Sequence, residues 1–120
     1  MAALAEWERA EPPRLRIALL DACKDANWPV RHAAVRALAT RAEDTTVRAT
    51  LLEACKDNIR WVRQAVVLAM TAVAEDATVL AALLAACNDD DLDVRRAAVQ
   101  ALENWIVRQK FLRGAVRGTI

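Results

Sequence analysis

Three cysteines are the residues of this chain whose type and spacing come nearest to those of a chemical site. Cys23, Cys55 and Cys87 stand 32 residues apart (55 − 23 and 87 − 55). Thiolates at repeated positions could hold a metal or form a redox pair. However, packed helices lie about 8–10 Å apart, whereas a disulfide needs Cα atoms within about 7 Å. Each cysteine also follows a leucine by four residues, on one helical face. We interpret all three as small core residues.

The other chemically able residues are one histidine and an acidic run. His32 has no second ligand or nucleophile in a recognisable arrangement, and the chain contains no serine and no glycine-rich phosphate loop. Residues 89–93 read Asp-Asp-Asp-Leu-Asp, without the glycine and final glutamate of a calcium loop. Carboxylates before a helix are favoured there by the helix dipole. The sequence therefore predicts no enzymatic activity, no cofactor and no metal.

The elements that carry these residues recur with the same spacing. Residues 19–25 read Leu-Leu-Asp-Ala-Cys-Lys-Asp, and the block returns in similar form at 51–57 and 83–89. A fixed period of this length is typical of stacked repeats, and apolar residues within each copy follow helical spacing. Both glycines lie in the last seven residues, so little interrupts the helices. The predicted fold is all-α, an α-solenoid of stacked helix–turn–helix repeats. Asn27 and Asp91 are predicted to cap second helices.

The repeat phase also predicts the boundaries within one solenoid domain, 1–120. We expect a truncated leading helix or cap over 1–10, three repeats at 11–42, 43–74 and 75–106, and a basic trailing segment over 107–120. Trp105 is expected to end the last second helix. Because residues 1–10 match the end of a second helix, we expect the chain to be part of a larger protein; degenerate end caps are the alternative.

Composition limits the environment and the partners. The net charge is +1 and 28% of the residues are charged, so no overall attraction to nucleic acid or to an acidic membrane is evident. The longest apolar runs fall far short of the roughly 20 residues of a membrane span. A basic segment followed by an apolar stretch, which marks a secretory signal, does not begin the chain. A cytoplasmic location without membrane contact is expected.

The repeating pattern resembles HEAT repeats, especially the short bacterial kind. The resemblance covers roughly residues 9–105 and rests on Leu-Leu-x-Ala-Cys-Lys-Asp followed by Val-Arg-x-Ala-Ala-Val-x-Ala-Leu. It implies a protein–protein scaffold whose second helices line a concave face. It also implies a ladder of hydrogen bonds between repeats, from an aspartate before the second helix and an arginine near its start. The matching pairs are Asp25/Arg31, Asp57/Arg63 and Asp89/Arg95.

Positions that vary between the repeats are the candidates for binding a partner. On the expected concave face these are His32, Gln64, Arg96, Arg36, Leu68 and Gln100. Leu68 stands out because its counterparts in the other repeats are polar. Trp61, seven residues earlier, would share its face, and tryptophan is favoured at binding hot spots. Ordinary packing of Trp61 over a neighbouring repeat is the alternative.

These residues predict a non-catalytic interaction module. Its partner would be another protein or other domains of the parent chain, with no membrane involved. Binding to nucleic acid through Arg36, Arg96 and the basic tail is the less favoured alternative. Self-association through exposed solenoid ends also remains open. The tail residues are Arg108, Lys110, Arg113 and Arg117.

Overall fold

The computed structural model describes the backbone of residues 13–118 and the side chains of residues 14–114. This part of the chain holds six α-helices and no β-strand, which confirms the predicted all-α solenoid. The leading helix expected over residues 1–10 lies outside the described residues. The helices are α1 (Pro13–Ala22), α2 (Trp28–Leu38), α3 (Thr45–Ala54), α4 (Arg60–Met70), α5 (Ala77–Ala86) and α6 (Leu92–Gly118).

The helices form three successive pairs, α1/α2, α3/α4 and α5/α6. The distance in sequence from one pair to the next is the same for the first helices and for the second helices. The first helices begin 32 residues apart (45 − 13 and 77 − 45), and so do the second helices (60 − 28 and 92 − 60). Second helices pack directly on one another, whereas a first helix packs mainly on its own partner. None of the helices in the described part is both long and apolar enough to cross a membrane.

Aspartates fix where three of the helices begin. Asp44, Asp76 and Asp91 each accept, through Oδ1, the backbone N–H groups two and three residues ahead, at 2.9–3.3 Å. Such a side chain satisfies N–H groups that the first helical turn leaves unpaired. Asn27 stands at the N-cap of α2, but its side chain makes no capping bond. The N-cap predictions therefore hold fully for Asp91 and only in position for Asn27.

The core lies between the two layers and is made mostly of small and branched apolar residues. Its largest fully buried side chains are Leu38, Leu51, Met70, Leu83, Val35, Val47, Val62, Val66, Val79 and Val94. Cys23 is buried in this core, while Cys55 and Cys87 are half-buried and pack against it. The three thiols are free.

The third repeat departs from the first two at its trailing end. After α2 and α4 the chain makes short 3-10 turns, Ala39–Arg41 and Thr71–Val73, then passes a buried alanine, Ala42 or Ala74, and the aspartate that caps the next first helix. In the same phase the third repeat has Ile106 and Arg108. A larger side chain replaces the buried alanine, and no carboxylate is present to cap a new helix. Helix α6 therefore runs on to Gly118, so that Trp105 lies inside it rather than at its end.

Candidate protein-binding surface

One row of ion pairs crosses the turns within the repeats, and we call it the turn-edge ladder (Arg31, Asp57, Arg63 and Asp89). Arg31 donates to both carboxylate oxygens of Asp57, at 2.8 Å from Nε and 3.1 Å from Nη2. Arg63 binds Asp89 in the same way, at 2.9 and 3.0 Å. Each arginine thus reaches the aspartate of the following repeat, with the two-pronged geometry that makes such pairs strong.

The turns themselves orient both partners of this ladder. Asp57 accepts, through Oδ1, the backbone N–H two residues ahead at 2.9 Å, and Asp89 does the same at 2.9 Å. The Nη1 group of Arg31 donates to the carbonyl oxygen of Asp25 at 2.9 Å, and that of Arg63 to the carbonyl oxygen of Asp57 at 2.8 Å. Because each group is held by its own turn, it loses little side-chain freedom when the ion pair forms.

A second ladder, which was not predicted from the sequence, runs along the opposite edge through the turns between repeats. In this cap-edge ladder Arg16 donates to both oxygens of Asp44 at 2.9 and 3.0 Å, and Arg48 donates to Asp76 at 3.0 Å. Both carboxylates also cap the following helix. The signal was readable, because each arginine precedes its aspartate by 28 residues (44 − 16 and 76 − 48).

The ladders shift the pKa values of their carboxylates. Partial burial raises the pKa of Asp57, but hydrogen bonds from Arg31 and the Ile59 backbone outweigh this, and the net pKa is below its ordinary value. At Asp44, burial likewise raises the pKa, while Arg16 and the capped N–H groups lower it further than burial raises it. Favoured ionisation at both edges means that the ladders are fully charged at neutral pH.

Two tryptophans from consecutive repeats line one cleft of about 440 Å³ beside the turn-edge ladder. Trp28 and Trp61 are both exposed. The guanidinium of Arg60 lies 4.6 Å from the Trp61 ring centroid and 3.4 Å from a carboxylate oxygen of Asp91. On the other side, Trp28 meets the ring of His32 edge-on, with centroids 6.1 Å apart. The remaining lining residues are Asn58, Ile59, Arg63 and Asp90. The cleft offers a partner aromatic faces flanked by charges of both signs.

The predicted candidates are partly brought together by this arrangement. Trp61 lies in the cleft, and its companion there is Trp28. Leu68 is exposed on the same helix as Trp61, but it stands seven residues further, about 10 Å along the axis, and does not line the cleft. The remaining candidates are exposed (Arg36, Arg96 and Gln100) or half-buried (His32 and Gln64).

The basic tail continues α6 beyond the stack. Arg108 donates to the carbonyl oxygen of Thr71 at 3.4 Å and lies 3.5 Å from a carboxylate oxygen of Glu75. Lys110 and Arg113 are exposed, while the side chain of Arg117 lies outside the described residues. Across the side chains that the structure describes, no three His, Cys, Asp or Glu residues are grouped so that they could hold a metal ion.

A sequence model described as HEAT repeats matches residues 16–103, which span both ladders and the tryptophan cleft. A comparison with curated proteins gives no match.

Proposed function

The chain belongs to the HEAT-repeat family, and we propose that it is a protein-binding scaffold module whose partner docks across its second helices and the tryptophan cleft. HEAT repeats generally mediate protein–protein scaffolding and are typically non-catalytic. A stack of repeats presents an extended surface on a frame in which each unit contacts only its neighbours.

The packing of the two layers supports the second-helix side as the docking face. Second helices contact one another closely along the stack, whereas first helices of successive repeats stand further apart. A double layer curves towards its more closely packed side, which favours the second helices as the lining of the concave surface. Concave solenoid faces are the extended binding surfaces of such proteins.

The cleft between Trp28 and Trp61 carries the proposal. Large exposed aromatic side chains leave apolar area in water, and tryptophan and arginine are the residues most enriched among binding hot spots. Here two tryptophans and Arg60 converge on one cleft. Helices fixed by two ladders hold them in place, so little conformational entropy is lost when a partner docks.

Leu68 extends the surface along α4. It is 60% exposed, and its counterparts in the same phase are Arg36 and Gln100. Burial of one leucine side chain contributes about 1.5–3 kcal/mol. Trp61 and Leu68 together would give a partner two apolar anchors on one helix, within a polar surround.

The test is affinity capture by the immobilised chain from a lysate of its source organism, followed by titration of the protein captured. The doubly substituted Trp61→Ala/Leu68→Ala chain should bind that protein at least about 10-fold more weakly, because a hot-spot truncation costs more than about 1.4 kcal/mol. Leu84→Ala is the matched control, since Leu84 is 55% exposed but lies on the first helix α5. Its binding should match that of the unsubstituted chain.

Unchanged binding by the double variant would remove this face from consideration. Nucleic acid is separated by salt, because contacts to phosphates lose affinity steeply as salt rises. Binding to DNA or RNA that is detectable at low salt and is weakened by Arg36→Ala/Arg96→Ala would replace the protein-scaffold proposal.

A further inference from the structure

The leading end of the stack exposes residues that are buried at both inner junctions. Val62 and Val94, near the start of α4 and α6, are fully buried in the inner repeats. Val30 holds the same position in α2 and is 41% exposed. Leu15 is likewise exposed where Val47 is fully buried. The leading end therefore presents the face that inner repeats bury.

The trailing end exposes the complementary face. Val35 and Val67, on the second helices of the first two repeats, are buried. Val99 occupies their position on α6 and is 54% exposed. Ile106 is also exposed, where Ala42 and Ala74 are buried in the first two repeats. Val99 and Ile106 form an apolar stripe on α6. In the first two repeats, the residues at these positions are buried where the following repeat packs.

Within the described residues, the turn-edge ladder is open at both of these ends. The carboxylate of Asp25 accepts a hydrogen bond from the backbone N–H of Asn27 at 2.8 Å. The aspartates of the inner rungs accept the same bond from their own turns. However, no arginine among the described residues binds the carboxylate of Asp25. Arg95 donates Nη1 to the carbonyl oxygen of Asp89 at 2.8 Å, as the inner arginines do to their turns. Its carboxylate partner is missing from the described part of the chain. Each end thus holds one half of a rung, oriented as the inner rungs are.

We propose that a second copy of this chain docks head to tail, so that Arg95 of one copy binds Asp25 of the next. The two inner junctions support this fit, because each joins the equivalent faces through an arginine–aspartate rung and buried valines. The trailing face differs at Ile106, which stands where the first two repeats have a buried alanine. The cap-edge ladder does not extend across the new junction, since Leu80 and Pro12 occupy its arginine and aspartate positions. The junction is therefore held by the turn-edge rung and the apolar stripe.

This contact joins two different faces, so it leaves one of each free and permits further copies to add. It uses Asp25, Val30, Arg95 and Val99 rather than Trp61 and Leu68, and it does not depend on the proposed scaffold function. Association should increase with concentration, because head-to-tail addition is a binding equilibrium between copies.

The test is charge exchange followed by mixing, with sedimentation velocity as the readout on the full chain. Arg95→Glu sets a glutamate against Asp25, and Asp25→Arg sets an arginine against Arg95, so each variant alone should associate at least about 10-fold more weakly than the unsubstituted chain. In an equal mixture, every junction of an alternating array joins opposite charges. Mixing should therefore restore association.

Arg96→Glu is the matched control, because it makes the same charge change one residue away, at a position whose counterparts His32 and Gln64 belong to no rung. It should associate as the unsubstituted chain does. Circular dichroism on all variants shows that they are folded. The proposal is overturned if the unsubstituted chain stays monomeric up to about 1 mM. Its binding free energy would then be weaker than about 4 kcal/mol. Association that neither variant weakens, or that mixing leaves unrestored, also overturns it.

Discussion

The two ladders pair arginine with aspartate at opposite edges of the stack, but only the aspartates of the cap edge also cap a helix. On the turn edge, Asp57 and Asp89 are each oriented by a hydrogen bond from their own turn, and neither caps a helix. On the cap edge, Asp44 and Asp76 bind an arginine and also the first N–H groups of a helix. A rung of the turn edge thus stabilises a junction, whereas a rung of the cap edge stabilises a junction and the start of a helix.

The largest expected effect comes from removing one aspartate at each edge. Asp44→Ala should lower the free energy of unfolding by about 2–3 kcal/mol, because it removes an N-cap worth about 1 kcal/mol and leaves Arg16 without this carboxylate. Asp57→Ala should cost less, about 1–2 kcal/mol, since no N-cap is lost. Urea denaturation measures both, with the exposed Glu53→Ala as control. Equal losses at the two edges would contradict the distinction.

Replacing arginine by lysine tests the geometry of the rungs and should have a smaller effect. Arg63→Lys keeps the charge but loses the two parallel bonds to Asp89, so we expect a loss of about 1 kcal/mol in the free energy of unfolding. Arg48 reaches Asp76 through one nitrogen and uses its other two on backbone carbonyl oxygens of the turn before its helix. Arg48→Lys should therefore break mainly those carbonyl bonds. Urea denaturation measures both losses, and an Arg63→Lys chain as stable as the unsubstituted one would show that the parallel bonds contribute nothing.

Acid should weaken both edges together. The pKa values of Asp44, Asp57 and Asp89 are lowered in the folded chain, where burial raises them but hydrogen bonds from arginine and backbone lower them more. A depressed folded pKa gives stability that is present above the unfolded value, about 3.9, and is lost as pH falls through the folded pKa. The free energy of unfolding should therefore stay level down to about pH 5 and fall below about pH 4. Asp57→Asn should make the free energy of unfolding fall less steeply with decreasing pH. If the slope is unchanged, Asp57 does not contribute to the acid sensitivity.

The smallest effect is a local one that reports on the turn edge alone. Burial raises the pKa of Cys55 to about 11, while Lys56 lowers it slightly, so the thiol should react slowly with a disulfide reagent at about pH 8. Cys55 lies two residues before Asp57. Asp57→Ala should therefore speed labelling of Cys55 more than Asp44→Ala does. Cys23→Ala/Cys87→Ala chains isolate the signal, and equal acceleration by both aspartate variants would show global rather than local opening.

Much of the fold could be predicted from the sequence, because the same pattern of apolar and turn residues recurs in all three repeats. Most of the recurring leucines and valines had to face one core, and Asp91 stood where a cap was needed. The end of the third repeat did not follow from phase alone. Helix α6 continues because Ile106 and Arg108 replace a small residue and a cap, and this difference could have been read from the same period.

The surface was less predictable than the core. Trp61 and Leu68 were identified as breaks in the repeating pattern, but the cleft joins Trp61 to Trp28, which holds a neighbouring rather than an equivalent position in its repeat. Comparison of equivalent positions cannot show that two such side chains line one cleft. The cap-edge ladder was missed for a related reason, since its arginine and aspartate come from different turns of different repeats.

Two ladders at opposite edges also govern how the stack can bend. A repeat that rocks away from its neighbour opens one edge and compresses the other, so each direction of rocking stretches a different arginine–aspartate pair. Both inner junctions have a rung at each edge. The solenoid should therefore resist bending in both directions. Loss of a single rung would make it yield preferentially to one side.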